Sequence, residues 1–219
     1  MDKGIRSSPV RVAVRVRPLN EREISGGQSE AWDVGSGGLH LKRARRERSS
    51  CLTGKKLESK DATYLFDHVF DKDSSTATVY ETIAQDIVRD AMEGYHSSIF
   101  AYGQTSCGKT HTMMHAERGI VALAVKDIFS YIKRCPTREF LLRVSYMEIY
   151  NESINDLLVP SSKNLDIFDH PKKGCVISGL VRRLLLRQAG PRNVTHPSSH
   201  HSLTPAFGIV LPLSSWRRS

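Results

Sequence analysis

Polar and apolar residues alternate along Arg11-Val-Ala-Val-Arg-Val16 and the pattern stops at Pro18, as a half-buried strand would. Tyr64 to Phe70 is a second strand candidate. From Ser74 to Tyr95 the period changes to that of a helix. Ser/Thr caps lead into Val79, Ile83, Ile87 and Ala91 on one face. Ser97-Ser-Ile-Phe-Ala-Tyr102 reads as a short buried strand, and Lys109 to Met114 can open a helix. Another helix follows Gly119, with Val121, Val125, Ile128 and Ile132 in register. Glu139 to Tyr150 reads as one long apolar-rich strand, and Asn151 to Leu158 as a short helix capped by Asn151. Strands alternating with helices predict an α/β sheet with helices on both faces. No internal repeat is present.

The segment from Val181 onward differs in kind. It carries four of the nine prolines, a Pro-Ser-Ser-His-His-Ser stretch and one isolated apolar run, Ala206-Phe-Gly-Ile-Val-Leu-Pro-Leu213. With no sustained period, it is expected to be disordered or loosely attached. Charge marks the same break. The net charge is +9, yet up to Asp169 there are 24 Lys/Arg against 23 Asp/Glu, and beyond it eight against none. At the chain's own acidic frequency such a run arises by chance roughly once in a few hundred trials. The surplus is therefore local, and its arginines are not interleaved with aromatics before Trp216, so no nucleic-acid partner is expected. The basic run Lys42 to Arg48 reads as a solvated loop, a nuclear localisation signal or a polyanion contact.

Length and composition suit one sizeable core, or one domain with an appendage: 219 residues, 39% hydrophobic and 25% charged. No apolar run approaches the ~18 residues that span a bilayer, and the first residues do not read as a secretory signal. Cys51, Cys107, Cys135 and Cys175 lie far apart and form no CxxC, which argues against a zinc site or a disulfide framework and for reduced thiols in the cytosol.

The chemistry concentrates in Gly103-Gln104-Thr105-Ser106-Cys107-Gly108-Lys109-Thr110, which fits G-x-x-x-x-G-K-[ST]. Glycines let such a loop turn tightly, so that consecutive N–H groups point at phosphate oxygens. A lysine at position 109 would reach the β/γ-phosphates, and the Thr110 hydroxyl would ligate Mg²⁺. The order strand, loop, helix also aims the positive end of a helix dipole at the anion. A Gly-rich turn with a chance lysine is the alternative. His111 reads as a packing residue, and His200 and His201 as composition.

This loop and its flanks resemble the kinesin motor domain. Val14-Arg-Val-Arg-Pro18-Leu-Asn20 is similar to the family's opening strand and Phe66-Asp-His-Val-Phe70 to the strand that follows. Glu93-Gly-Tyr95 through Ile99 to Gly103 and on to Met113 resembles its nucleotide loop, and Arg138 to Glu152 with Ile154 to Leu158 its central strand and following turn. Leu165 to Leu180 and the Asp127-Ile-Phe129 helix look most like the centromere-associated (CENP-E-like) subfamily. The resemblance covers residues 10–180 and implies a P-loop NTPase-type sheet flanked by helices, an incomplete kinesin motor domain, with residues 181–219 as an irregular basic tail. It also implies ATP with Mg²⁺ at Gly103 to Thr110, an adenine-side wall from Arg15, Arg17 and Pro18 with Tyr95 beside it, and microtubules (tubulin) as partner in the cytoplasmic cytoskeleton. Arg15 and Arg17 as strand-end charges, and Tyr95 as a core-edge aromatic, are the alternatives. Cys107 stands where the family usually has serine, which puts a thiol beside phosphates and a lysine.

The family's two switches, Asn-x-x-Ser-Ser-Arg-Ser-His and Asp-Leu-Ala-Gly-Ser-Glu, do not occur here. Ser198-Ser-His-His201 lacks the arginine. Hydrolysis needs a positioned water and stabilised charge on the transferring phosphoryl group, so this chain is expected to be deficient in it. The main microtubule-binding elements and an oligomerisation stalk are likewise not expected within it. A nucleotide-binding module without turnover is the second reading. A third is the non-functional product of a disrupted gene, with a tail read out of frame. An uncovered sheet edge and exposed apolar surface are expected in either case.

Overall fold

The computed structural model describes residues 10–35, 40–43, 63–172, 174–188 and 207–210. They fall into two units that divide after Ile83.

In the first unit β1 (Ala13–Arg15) runs parallel to β5 (His68–Phe70), with Val14 opposite Val69. The strand predicted over 64–70 is two: β4 (Thr63–Leu65) ends before Asp67, whose carboxylate accepts from the Val12 N–H at 2.7 Å. The residues after position 20 form structure as well. Asn20 and Glu23 form a capping box that starts α1 (Glu21–Ser25): the Asn20 side chain accepts from the Glu23 N–H at 2.9 Å, and Glu23 accepts from the Asn20 N–H at 2.8 Å. Beyond it, β2 (Trp32–Val34) and β3 (His40–Arg43) join β4 in an antiparallel sheet. The basic run 42–48 lies mostly outside the described residues. The core of this unit is Val69, Phe70, Val79 and Tyr80, with Thr76 beside them.

The long helix expected from Ser74 is interrupted. Ser75 caps α2 (Thr76–Val79), a π turn occupies Tyr80–Ala84, and α3 (Gln85–Met92) follows. A π turn adds a residue to one winding. The apolar face therefore moves on by one position: Ala84 and Val88 are buried where strict helical spacing points to Ile83 and Ile87, and the phases meet again at Ala91.

In the second unit β6 (Ser97–Phe100) leads into the glycine-rich loop, and the loop into α4 (Lys109–Met114) and α5 (Ile120–Arg134). Helix α5 packs on both α3 and α4, and α3 on β6. The buried face of α5 is Ile120, Ala124, Ile128 and Ile132, rotated from the expected one, since Val125 is 41% exposed. Ala124 is fully buried because a methyl group lets the neighbouring helices approach closely; hydropathy alone ranks the valines above it. Met113 fastens α4 to this core, each such side chain contributing about 1.5–3 kcal/mol.

Two further strands replace the one expected over 139–150: β7 (Phe140–Val144) and β8 (Met147–Tyr150). The helix expected from Asn151 is not formed. Asn151 and Glu152 both have positive φ, +48° and +62°, and make a two-residue turn into β9 (Ser153–Asp156), paired antiparallel with β8. Such a turn matches the twist of a hairpin, and asparagine tolerates its first position, so the residue read as a helix cap is a turn residue. A second hairpin pairs β10 (Ile167–His170) with β11 (Gly174–Ile177). The tail is not wholly irregular either. β12 (Arg183–Gln188) pairs antiparallel with β7, with a bulge between Leu184 and Leu186, and β13 (Phe207–Val210) pairs parallel with β6. These pairings satisfy backbone groups that short apolar runs without a clear period do not announce.

Apolar side chains stay in contact with water across this unit, among them Phe100 (70% exposed), Leu184, Leu185, Ile167 and Phe168. Among the described residues no helix is long and apolar enough to cross a membrane.

Candidate nucleotide site

The loop is built as its sequence demands. Gly103 has φ +155°, and a Cβ there would stand 2.5 Å from Cys107 Sγ. Glycine at 103 is thus a packing requirement as much as a backbone one. Gly108 caps α4 at φ +99°, a left-handed conformation that turns the chain into the helix. Between them Ser106 also takes a positive φ of +65°, and the Cys107 N–H closes a turn onto the Gln104 carbonyl at 3.3 Å. The first intrahelical bond of α4 runs from the Thr112 N–H to the Gly108 carbonyl at 2.9 Å. The N–H groups of Lys109, Thr110 and His111 therefore stand ahead of the ladder, as the first donors of a helix do.

Lys109 reaches back over the loop. Its Nζ donates to the Gly103 carbonyl at 2.7 Å and to the Gln104 carbonyl at 2.8 Å. An ammonium has three protons, so one remains for an anion above the loop. Thr110 is exposed at the first turn of α4, where its hydroxyl can meet a cation. All eight loop residues, Gly103 to Thr110, are thereby gathered into one turn whose curvature, donors and positive charge suit phosphate.

Substituting Gly103→Ala is expected to lower nucleotide affinity about tenfold or more, because the sulfur must move. Adding Cys107→Ala leaves only a Cβ 3.6 Å away, an ordinary contact. The double variant should recover the part of the loss due to the clash and keep the part due to φ, which a double-mutant cycle of binding affinities measures.

The two arginines expected on the adenine side have partners of their own. In the first unit the Arg15 guanidinium donates to Thr76 Oγ1 and to the Ser74 carbonyl, both at 2.9 Å, and burial lowers its pKa. Arg17 forms a bidentate pair with Glu23, at 2.8 and 2.6 Å, and also donates to the Pro18 carbonyl at 2.8 Å. The Arg17 bond, helped by the Asn20 N–H, pulls the Glu23 carboxyl down to about 2. Sequence reading had no signal for this clamp other than the capping box. In the second unit Tyr95 sits in the turn between α3 and β6 and is 45% exposed. His111 is exposed rather than packed into the core; its ring meets that of His115 edge-on, with centroids 5.6 Å apart.

Two arrangements elsewhere in the second unit were not foreseen. The Tyr131 hydroxyl of α5 donates to the Glu93 carboxylate at the end of α3 and accepts from Arg138 at 2.8 Å, and the bond to Glu93 pushes the phenol up to about 12. Arg138 in turn lies over the Phe140 ring at 5.6 Å. Asp156 is buried (1% exposed). Its Oδ2 accepts from the Val181 N–H at 2.8 Å and its Oδ1 from the Leu158 and Val159 N–H groups at 2.7 and 3.3 Å. The Val181 bond leads in holding its pKa below the ordinary value, against the opposing effect of desolvation.

A strand, a phosphate-type loop closed by its own lysine, and a helix are thus joined in the order of a nucleotide-binding fold. The family model of the kinesin motor domain matches residues 15–190. The chain belongs to the kinesin motor-domain family. The match runs ten residues past Leu180 and takes in β12, which the tail boundary expected from sequence left out. A kinesin-like protein KIN-7D, chloroplastic, of Oryza sativa subsp. japonica is 43% identical over 194 residues, 88% of this chain and 18% of that protein. A kinesin-like protein KIN-7K, chloroplastic, of Arabidopsis thaliana is 44% identical over 182 residues, 82% of this chain and 17% of that one. The chain therefore spans less than a fifth of these curated relatives. Among solved structures, one of a fast kinesin superposes with a TM-score of 0.70 at 30% identity, over 80% of this chain and 48% of that one. These relatives are plant KIN-7 kinesins, which gives no support to the centromere-associated subfamily expected from residues 127–129 and 165–180.

Proposed function

We propose that this kinesin motor-domain chain binds Mg²⁺·ATP at Gly103–Thr110 and, as 219 residues, holds it without microtubule-stimulated turnover. The observation that carries the reading is the closure of the loop by Lys109 around Gly103, with the N–H groups of Lys109, Thr110 and His111 ahead of the α4 ladder. In bound form the loop amides and Lys109 would hold the β- and γ-phosphates. Thr110 would take Mg²⁺, which shares charge with the phosphates and is otherwise satisfied by phosphate and water oxygens. Arg17, held flat by two bonds to Glu23, offers the kind of guanidinium plane on which an adenine stacks, with Pro18 and Arg15 beside it in the first unit on family likeness, and Tyr95 carries the same expectation in the second. Within the family's frame the partner is the microtubule, and the setting the cytoplasmic cytoskeleton; the two plant relatives above bear the word chloroplastic in their names. Among motor subfamilies the KIN-7 group is the one we propose.

Absence of turnover rests on chemistry: neither switch sequence occurs in these 219 residues, and both the attacking water and the transferring charge need such groups. Titration with a fluorescent ATP analogue should give a saturable, Mg²⁺-dependent signal; a flat titration defeats the binding claim. Steady-state phosphate release should not rise on adding microtubules. A rise that Lys109→Ala abolishes would overturn the second half.

A further inference from the structure

β6 delivers the chain to the phosphate loop, with two residues between Phe100 and Gly103. Its hydrogen-bonded neighbour among the described residues is β13, which runs parallel to it with Phe207 opposite Ser97 and Val210 opposite Phe100. Both strands lie in the second unit. An extended strand with an unpaired edge is a template for another strand, and main-chain bonds supply the affinity of such an addition. The segment that takes the place here is the one isolated apolar run in a basic, proline-rich stretch, and it is rich in β-forming residues. Eighteen residues separate Gln188 from Phe207. Extended, they reach about 60 Å, so the chain's own length does not hinder this return.

We propose that the edge of β6 is a strand-addition site, occupied in cis by residues 207–210, and that this added strand clamps the entry to the phosphate loop. The ladder fixes the backbone through Phe100. That leaves only Ala101 and Tyr102 between an anchored residue and Gly103, whose carbonyl receives Lys109. With the strand in place the loop is held closer to its binding conformation and less ordering is required when phosphate arrives. The effect on affinity rests on the nucleotide reading above; the occupancy of the edge does not.

The test is amide hydrogen exchange on the full chain, read peptide by peptide. In the wild-type monomer, residues 98–100 and 208–210 should both exchange at least about tenfold more slowly than an unstructured reference, independently of protein concentration. Exchange at the reference rate in either segment overturns the proposal. So does protection that grows with concentration, because the occupant is then a second copy. The paired substitution Gly208→Pro with Ile209→Pro removes a ladder donor whichever way β13 faces. It should speed exchange at residues 98–100 about tenfold while α5 stays protected, and weaken binding of the fluorescent ATP analogue several-fold. The same pair of prolines at Ser214 and Ser215 should do neither. Unchanged exchange at 98–100 in the first variant overturns the clamp. If that variant unfolds as a whole, the wild-type exchange pattern and its concentration dependence still decide the matter. Wild-type chain that shows the β6 protection but binds no nucleotide would sink the function proposed above and leave the strand addition standing.

Discussion

Lys109→Ala should reduce affinity for Mg²⁺·ATP by roughly 100-fold or more, the largest effect expected of any single substitution on binding. Two losses combine. The charge-assisted bond to the phosphates disappears, worth about 1.5–3 kcal/mol, or about one to two decades in affinity. The bonds from Nζ to the Gly103 and Gln104 carbonyls go as well, so the loop loses the tie that holds its entry near its exit. Lys109→Arg should rescue little. A guanidinium is a broad planar fork, and the two carbonyls are met here by a compact ammonium at 2.7 and 2.8 Å. Equilibrium titration of the three proteins checks this, with thermal unfolding as control: the lysine is only part-buried, so the midpoint should move little.

Asp156→Ala should do the reverse, leaving the loop's chemistry alone and lowering stability. It strands the N–H groups of Leu158, Val159 and Val181 in a site where the carboxylate is 1% exposed. Unpaired buried donors are costly, and the unfolding midpoint should fall by roughly 5 °C or more. The sign of the pH effect follows from the direction of the shift. The folded pKa lies below the ordinary aspartate value, so the contribution is fully present above the unfolded pKa of about 3.9. It is lost as pH falls through the folded pKa. Wild-type and variant midpoints should therefore converge as the pH drops below about 4. A gap that persists unchanged at low pH would show that the carboxylate's charge is not what the three amides hold.

The nucleotide loop was legible because its requirements are local. Gly103 and Gly108 follow from backbone sterics at fixed spacing, and β6 and α4 fall where the sequence puts them. What the pattern hid depends on tertiary context. Ile83 and Ile87 look like the buried face of a helix until one π turn shifts the phase to Ala84 and Val88. Asn151 has the chemistry of a helix cap and of a tight turn, and the pairing of β8 with β9 decides between them. Asp156 as a buried carboxylate was beyond reach, since one of its donors, Val181, is 25 residues away. The Arg17–Glu23 pair lay closer to view: the capping box announces Glu23, but only the fold shows that its carboxylate also holds an arginine.

The registers of the strands also imply an order of assembly. Tyr150 and Ser153 pair across two residues, a closure that takes microseconds. Val144 and Arg183 must find each other across 39 positions, and Ser97 and Phe207 across 110. Closure entropy grows with separation, so the β8–β9 hairpin belongs to the earliest structure and the β6–β13 pair to the latest. During synthesis the strand that feeds the phosphate loop emerges long before its partner. For that interval its edge is open to any other extended chain nearby, and the ribosome's pace, rather than the finished protein's stability, sets how long the exposure lasts.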